Sequence, residues 1–341
     1  MKLVLVLHCP NLVSFALWQT VPMRNLNACF FLLAVQSGWS APVTLAGIPG
    51  IVAPGTPVIV VKSGYNSSEG PMAAPDGSLY FSEPSDNKIY HVDADDDITV
   101  FFDAKRVDDE KGERWRLPAL AMDKQGRMFA CRRAGPGKIG IAIVYPESEA
   151  RFIALSYNGK PFVAPNDLAM GQNGAIYFTD PGQGSERPHA VYLVRPSGEV
   201  VLATDNLEKP NGILLSRDEK TLYVVDTPSE FVYAFAVKPD GTLGPRTNFA
   251  RLKGVRKSDK GVIDSGIDGI ALDNDGNLYV ITWGGLEVFD KTGEPLGVME
   301  IGAKAQNLAF AGKDGKTLYV TAHGSLLKIR MLAQGFRERA K

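Results

Sequence analysis

Cysteine is scarce in this sequence, with three in 341 residues. Cys9 and Cys29 lie near the start of the chain, and Cys131 stands alone in an apolar, strand-like run. One cysteine in the body of the chain excludes a disulfide framework and a thiolate metal site. We therefore predict that Cys131 is a small buried apolar side chain and not a reactive thiol.

The sequence also lacks an excess of charge of either sign. Lys and Arg together number 37 and Asp and Glu number 38, so that the net charge is −1. This balance provides no attractive field for nucleic acid or for an anionic membrane surface, and we expect neither as a partner. A hydrophobic content of 45% and a charged content of 22% are ordinary for a soluble globular protein.

No uninterrupted apolar run reaches the roughly 18–20 residues that a membrane-spanning helix needs. Residues 1–41 nevertheless differ from the rest of the chain. From Met23, a basic residue, an apolar centre and the small residues Gly38, Ser40 and Ala41 follow in the order of a secretory signal. We predict that residues 1–41 are a leader, translated from Met23 or from an extended start, and that the mature chain is periplasmic or secreted and free of the membrane. A hydrophobic tail on a cytosolic protein is the alternative.

Several motifs of known chemistry are missing. No GxSxG segment is present, which argues against a serine hydrolase of that type. The acidic run from Asp93 to Asp97 begins like an EF-hand, but Ile98 stands where the glycine belongs, so a hairpin turn is expected there. The histidines after residue 41 lie far apart in the sequence and show no zinc-like pairing.

One segment, residues 164–182 (APNDLAMGQNGAIYFTDPG), recurs in altered form along the chain. Each copy has a short apolar run, a turn, and a strand-like run around one aromatic residue. These aromatic residues are Tyr80, Phe129, Tyr177, Tyr223, Tyr279 and Tyr319, at successive spacings of 49, 48, 46, 56 and 40. Repeats of this length with several short strands each are typical of β-propeller blades.

The repeats predict an all-β, six-bladed β-propeller over residues 57–331, followed by a tail at 332–341. The last repeat has room for only about three strands of ordinary length, and an extra strand, PVIVVK, precedes the first repeat. We therefore predict that this early strand completes the last blade and closes the ring. Insertions at 105–116 and 255–266 are expected on a face of the ring, where binding sites are common.

Counting back 11 or 12 positions from each aromatic residue gives six positions, five of which are polar, and we call the residues there anchors. The six positions are Glu69, Pro118, Asn166, Asn211, Asp268 and Asn307. Because the innermost strands of a propeller share one direction, the anchors should meet at one height in the channel. Two carboxylates and two amides would then converge from four blades, and they need a cation there. Oxygen ligands with two negative charges favour calcium, then magnesium or manganese; zinc is less suited without histidine or cysteine.

Each anchor also has a simpler explanation. The dipeptides Asn211-Gly212 and Asp268-Gly269 are common in turns, and the other two polar anchors suit a strand start or an Asx turn. The matched position of all four residues in their repeats favours a shared metal site.

At these residues the sequence resembles the gluconolactonase/regucalcin (senescence marker protein) family of six-bladed propellers. The matching motifs are EGP at Glu69, PND with YFTDP from Asn166, PNG with LYVVDT from Asn211, DG with LYV from Asp268, and QNLAF with LYVTA from Gln306. The resemblance covers residues 57–331. It implies calcium binding through Glu69, Asn211 and Asp268, with Asn166 as a metal or substrate contact and Asp268 as the general base.

The activity that this resemblance implies is metal-assisted hydrolysis of a lactone. The cation would polarise the carbonyl oxygen, and Asp268 would help to deprotonate the attacking water. Asp167 is a second candidate for the base or for a substrate hydrogen bond, with an outward turn carboxylate as the alternative. Arg132, placed with Arg133 in a predicted loop after Cys131, is a candidate substrate contact, with a solvated surface pair as the alternative.

The sequence leaves the substrate open. Ala164 stands where animal members of the family carry an arginine, and Pro118-Ala119 replaces their Asn-Gly, so no particular sugar lactone is implied. Related propellers with a similar ring cleave aryl esters and organophosphates, which is an alternative here. A non-catalytic binding module with a structural calcium is the other alternative. The expected partner is a small lactone or ester, and no oligomeric state is predicted.

Overall fold

The strands pair into six four-stranded antiparallel sheets, as the repeats predict. The structure is a computed structural model that describes residues 43–104, 115–135, 137–183 and 189–336. The predicted leader at 1–41, residues 105–114 of the first insertion and residues 337–341 of the tail lie outside the described residues. No α-helix occurs within the described ranges, and none of their helical segments has the length and apolar character of a membrane span.

The first three blades follow the chain in order. Blade 1 contains β2 (Glu69–Ala73), β3 (Leu79–Glu83), β4 (Lys88–Val92) and β5 (Ile98–Asp103). Blade 2 contains β6 (Leu120–Met122), β7 (Met128–Arg133), β8 (Ile139–Tyr145) and β9 (Arg151–Ala154), with a 3-10 turn at Glu147–Glu149. A small hairpin of β10 (Ser156–Tyr157) and β11 (Lys160–Pro161) leads to blade 3, which contains β12 (Leu168–Met170), β13 (Ile176–Asp180), β14 (Ala190–Val194) and β15 (Val200–Thr204).

The last three blades complete the ring. Blade 4 contains β16 (Pro210–Leu215), β17 (Thr221–Asp226), β18 (Phe231–Val237) and β19 (Leu243–Arg251). A hairpin of β20 (Arg256–Lys257) and β21 (Ile263–Asp264) precedes blade 5, which contains β22 (Ile270–Leu272), β23 (Leu278–Thr282), β24 (Gly285–Phe289) and β25 (Pro295–Met299). Blade 6 contains β26 (Ala305–Ala311), β27 (Thr317–Ala322) and β28 (Ser325–Arg330), with β1 (Val58–Ser63) as its outer strand.

The predicted closure by the early strand is confirmed. β1 pairs antiparallel with β28, with Val58 opposite Ile329 and Val60 opposite Leu327. The innermost strands β2, β6, β12, β16, β22 and β26 each contact the next one around the axis, and β26 contacts β2. The ring therefore closes between its first and last blades. We call the end of the ring where these inner strands begin the anchor face.

Apolar side chains fill the spaces between neighbouring blades. The buried apolar residues form six clusters, each of which joins two adjacent blades. The largest side chains in these spaces, among them Phe81, Phe178 and Tyr279, have no more than a trace of exposed surface. Cys131 is also fully buried, as predicted. Because each blade packs on two others, its position around the axis is fixed by both of its faces.

Residues that flank the propeller also pack on it. Leu45, Ile48, Ile51 and Val52 are buried in the cluster shared by blades 5 and 6. The described part of the tail passes the far end of the channel, where Gly335 bridges to Asp273. A cavity of about 560 Å³ lies there, lined by side chains of the inner strands and by Phe336.

Candidate active site

The four anchors expected to hold the metal lie at the start of four inner strands. Glu69 is the first residue of β2 and Asn211 the second of β16, while Asn166 and Asp268 each lie two residues before β12 and β22. All four therefore reach the anchor face, as the repeat spacing predicts.

Hydrogen bonds connect three of these anchors, directly between Asn166 and Asn211 and through neighbouring residues to Asp268. The Asn166 side-chain amide donates from Nδ2 to Oδ1 of Asn211. Asn211 in turn donates from its own Nδ2 to the carbonyl oxygen of Ile267, at 3.1 Å. The carbonyl of the next residue, Asp268, accepts a hydrogen bond from the backbone N–H of Gly212 at 3.2 Å. The structure thus brings Asn166, Asn211 and the Asp268 backbone together.

Glu69 is linked to the sixth blade by a residue that was not selected by counting back 11 or 12 positions from the aromatic residues, which we call the spacing rule. Gln306 donates from Nε2 to Oε1 of Glu69 at 3.0 Å, and only 8% of its surface is exposed. Its buried Oε1 accepts no hydrogen bond within the described residues. Asn307, which the spacing rule selected, instead accepts at Oδ1 from the N–H of Leu308, at 2.9 Å. The length of the β26–β27 hairpin explains the difference. Ala309 and Tyr319 pair across it ten positions apart, whereas Ala169 and Tyr177 pair eight positions apart in blade 3, so Gln306 is the equivalent of Asn166.

The second blade contributes Arg133, one residue beyond the predicted Arg132. Both arginines belong to strand β7 and not to a loop, which corrects the prediction. Arg132 is 9% exposed, and its guanidinium lies 3.3 Å from the ring centroid of Trp115 and 4.7 Å from that of Phe152. Arg133 instead donates from Nε to the Pro165 carbonyl at 2.7 Å and from Nη2 to Asn166 Oδ1 at 2.8 Å. Successive side chains of a strand point to opposite faces, which separates the two guanidiniums.

Asp167, the second candidate base, is 2% exposed. Its Oδ1 accepts from the N–H of Leu168 at 2.9 Å, and its Oδ2 accepts from the N–H of Ile213 in the next blade at 3.1 Å. These bonds tie the entry of blade 3 to blade 4. A catalytic role for Asp167 stays a prediction, and so does substrate contact by Arg132.

The glycine after an anchor lies against the next blade. A Cβ added to Gly212 would lie 2.4 Å from the carbonyl oxygen of Asp268, and one added to Gly269 would lie 2.1 Å from Asn307 Oδ1. At Gly70 the nearest atoms would be those of Pro118 and Ala119, at 2.9 Å. These glycines allow the inner strands to approach one another closely at the axis, which a turn dipeptide alone would not require.

We expect Gly212→Ala and Gly269→Ala each to lower the free energy of unfolding by about 1–3 kcal/mol, because the added methyl group forces neighbouring anchors apart. Gly244→Ala on outer strand β19 is the matched control, since its Cβ would meet nothing closer than 3.4 Å. Urea unfolding of the three variants measures the difference. Equal, small losses of stability in all three would show that close approach at the axis is not required.

Carboxylates at the ends of second strands hold the connectors that lead to the anchors. Glu83, Asp180 and Asp226 end β3, β13 and β17, and all are at most 3% exposed. Each accepts a hydrogen bond from the backbone N–H two residues before an anchor, namely from residues 67, 164 and 209. Burial raises the pKa of Asp226, although two backbone N–H groups oppose this shift. The three bonds repeat the same clamp in three blades.

The polar side chains at the anchor face carry oxygen atoms that suit a cation. Glu69, Asp268, Asn166, Asn211 and the unpaired Oε1 of Gln306 supply them, and an amide oxygen that accepts one hydrogen bond keeps a second lone pair. Within the described ranges, no three His, Cys, Asp or Glu side chains form a metal-binding group. The two carboxylates and the amide oxygens fit a hard ion such as calcium.

One positive charge stands in the same ring. Arg133 is mostly buried, and this burial lowers its pKa, while the charges of Asp180 and Glu69 raise it. The anchor face therefore combines two carboxylates, amide groups and a guanidinium within one channel entrance.

The second insertion borders this entrance. Gly266 lies flat on the indole of Trp283, where an added Cβ would be 2.7 Å from the ring atoms. The guanidinium of Arg256 stands 4.0 Å from the same ring centroid. Ser265 donates through both its N–H and its Oγ to the carbonyl of Thr227. The β20–β21 hairpin is thus docked on blades 4 and 5 next to Asp268.

Fold and site together define a six-bladed propeller with a ring of oxygen donors at the end of its axis. Residues 67–324 match the model of the SMP-30/Gluconolactonase/LRE-like region. The chain belongs to this family.

Individual relatives agree with this assignment. The chain is 30% identical over 296 residues to a gluconolactonase of Zymomonas mobilis, with 81% of each chain covered. A solved gluconolactonase structure from Xanthomonas campestris is 26% identical, with a TM-score of 0.69 and coverage of 86% of this chain and 95% of that one. A calcium-binding regucalcin from Agrobacterium tumefaciens, 20% identical, shares the fold with a TM-score of 0.65 over 81% of this chain and 94% of its own.

Proposed function

We propose that this protein is a lactone hydrolase of the gluconolactonase type that uses a divalent cation, with calcium as the expected ion. The observation that carries the proposal is the convergence of Asn166, Asn211 and Asp268 at the anchor face, with Glu69 joined to Gln306 beside them. This ring lies inside the segment that matches the family model. The relatives named as gluconolactonases support the choice of a lactone as substrate.

Glu69, Asn166, Asn211 and Asp268 are the residues that we propose hold the cation, and Gln306 offers a further oxygen. When bound, a divalent ion supplies Lewis acidity that polarises the ester carbonyl. The hydrogen bond from Gln306 fixes one oxygen of Glu69, and the bond from Asn211 to Ile267 fixes the amide plane of Asn211. The donors are therefore oriented before substrate arrives, which lowers the reorganisation that binding requires.

Asp268 is the residue that we propose accepts the proton of the attacking water. Its own carbonyl and the N–H of the following Gly269 are bonded to blades 4 and 6, respectively. The Asp268 backbone is thus held from both sides, which sets where its carboxylate can reach. Proton transfer from water to Asp268 would make the water oxygen nucleophilic as it attacks the ester carbon. The ring C–O bond would then break, and the proton held by Asp268 would pass to the leaving ring oxygen to give the hydroxy acid.

The test is hydrolysis of a lactone panel by purified protein, before and after removal of metal with a chelator. The panel contains aldonolactones, acyl lactones and aryl esters. We expect turnover of lactones that falls at least about 100-fold on chelation and returns with calcium. A calcium-binding protein that is inert on the whole panel would instead be a binding module. Turnover of aryl esters without lactones would support the ester-hydrolase alternative.

A further inference from the structure

Arg133 is a mostly buried guanidinium without a carboxylate partner among the described residues. Its two side-chain hydrogen bonds go to neutral acceptors, the Pro165 carbonyl and Asn166 Oδ1. A guanidinium has more N–H donors than these two bonds use. A buried cation of this kind is costly unless an anion pairs with it.

The carboxylates whose charges act on Arg133 are already engaged. Asp180 accepts at Oδ2 from the N–H of Val163 and at Oδ1 from the N–H groups of Ala164 and Gly182. Glu69 accepts from Gln306. Neither carboxylate forms a hydrogen bond to Arg133, so their charges reach it from beyond direct contact.

A second guanidinium stands beside Arg133. Arg116 pairs with it through reciprocal backbone hydrogen bonds, at 2.8 and 2.9 Å, and its side chain is exposed. The positive charge of Arg116 acts against that of Arg133, which places the two charges close to each other. Blade 2 thus brings two cations to a ring whose other blades present carboxylates and amides.

We propose that Arg133 binds an anionic group of the substrate, so that the preferred substrate is a lactone that carries a carboxylate or a phosphate in addition to its ring ester. This inference rests on the proposed function where it assigns a lactone ester to the substrate. Binding of the anion by Arg133 does not depend on that function. The anion would receive the remaining N–H groups of Arg133, while the ester lies toward Asp268 across the ring. Asn166 touches both Arg133 and Asn211, so it spans the two halves of the site.

The first test compares three lactones of the same sugar: neutral, with a terminal carboxylate, and with a terminal phosphate. We expect kcat/KM of the wild-type protein to be at least about 10-fold higher for one of the charged lactones than for the neutral one. Arg133→Gln should lower that charged value about 100-fold and the neutral value less than about 3-fold, and Arg133→Lys should restore part of the loss. The charged lactone whose kcat/KM falls in Arg133→Gln shows whether the bound anion is a carboxylate or a phosphate.

Arg151→Gln is the matched control, because it removes an exposed arginine from strand β9 of the same blade. It should leave all three values unchanged. Equal losses for neutral and charged lactones in Arg133→Gln would assign the guanidinium to the reacting ester and overturn the proposal. A wild-type preference for the neutral lactone would overturn it as well.

The second test measures binding and needs no turnover. Calorimetry compares an open-chain sugar diacid, the matching sugar phosphate acid and the monoacid. The wild-type protein should bind the diacid or the phosphate acid at least about 10-fold more tightly than the monoacid, and Arg133→Gln should remove this difference. If no lactone is hydrolysed but this difference is found, the proposed function fails and the anion site stands. If wild-type protein shows no difference, the anion site is wrong whatever the activity.

Discussion

Asp268→Asn should reduce lactone hydrolysis by about 1,000-fold or more while the propeller remains folded. The substitution keeps the size of the side chain but removes the proposed proton acceptor and one of two negative charges around the cation. The backbone carbonyl of Asp268 and the N–H of Gly269 bond to blades 4 and 6, and both backbone bonds are kept in the asparagine variant, so the propeller should stay folded. Steady-state kinetics at saturating calcium measure the loss.

The matched control is Asp264→Asn, an exposed aspartate in the hairpin before Asp268 whose Oδ1 accepts from the N–H of Gly266. An asparagine oxygen can accept the same bond, so activity should remain near that of the wild type. Calorimetry with calcium separates the two roles of Asp268. Weaker calcium binding with unchanged turnover at saturation would limit Asp268 to holding the ion. Retention of more than about a tenth of the activity at saturating calcium would contradict its assignment as the base.

Removal of residues 1–63 should prevent the chain from reaching a stable native state. The deletion takes β1 from the outside of blade 6 and leaves β28 as an open edge. It also removes Leu45, Ile48, Ile51 and Val52 from the core between blades 5 and 6. Four such side chains contribute about 6–12 kcal/mol together, at about 1.5–3 each, which is comparable with the whole stability of a typical domain.

A chain that begins at Pro42 is the control, because it keeps both the buried side chains and β1. Thermal unfolding and size-exclusion chromatography distinguish the two chains. The longer one should elute as a folded species with a cooperative transition, and the shorter one should aggregate or unfold without one. Matching transition temperatures would show that the ring does not depend on closure through β1.

The fold could be predicted from the sequence because each blade of a propeller repeats the same sequence pattern. The aromatic residue of each second strand, with Tyr279 fully buried and Tyr177 nearly so, marks the same place in its blade. The early strand was assigned to the last blade because the last repeat is too short for a fourth strand. Both inferences depend on strand count and order, which small errors in register do not change.

The site was predicted less completely, because its contacts depend on single-residue register. The β26–β27 hairpin is two residues longer than the β12–β13 hairpin, so Gln306 and not Asn307 contacts Glu69, and Asn307 is bonded to its own strand. The shared sequence pattern of residues 166–169 (NDLA) and 306–309 (QNLA), in which an amide residue precedes Asp or Asn and then Leu-Ala, could have indicated this shift. To choose between Arg132 and Arg133 as the residue at the site, one must know which face of β7 points to the channel. Two arginines in succession give no information about that.

Glu83, Asp180 and Asp226 accept hydrogen bonds from main-chain N–H groups of the connectors. These bonds do not depend on the side chains of the connector residues. Exchange of those side chains therefore leaves the mouth of the channel in place. Variation of the chain at this mouth can change which molecules enter without disturbing the ring beneath it. A library restricted to residues 67, 163 and 208–209, which leaves the buried Ala164 unchanged, is a direct route to altered selectivity.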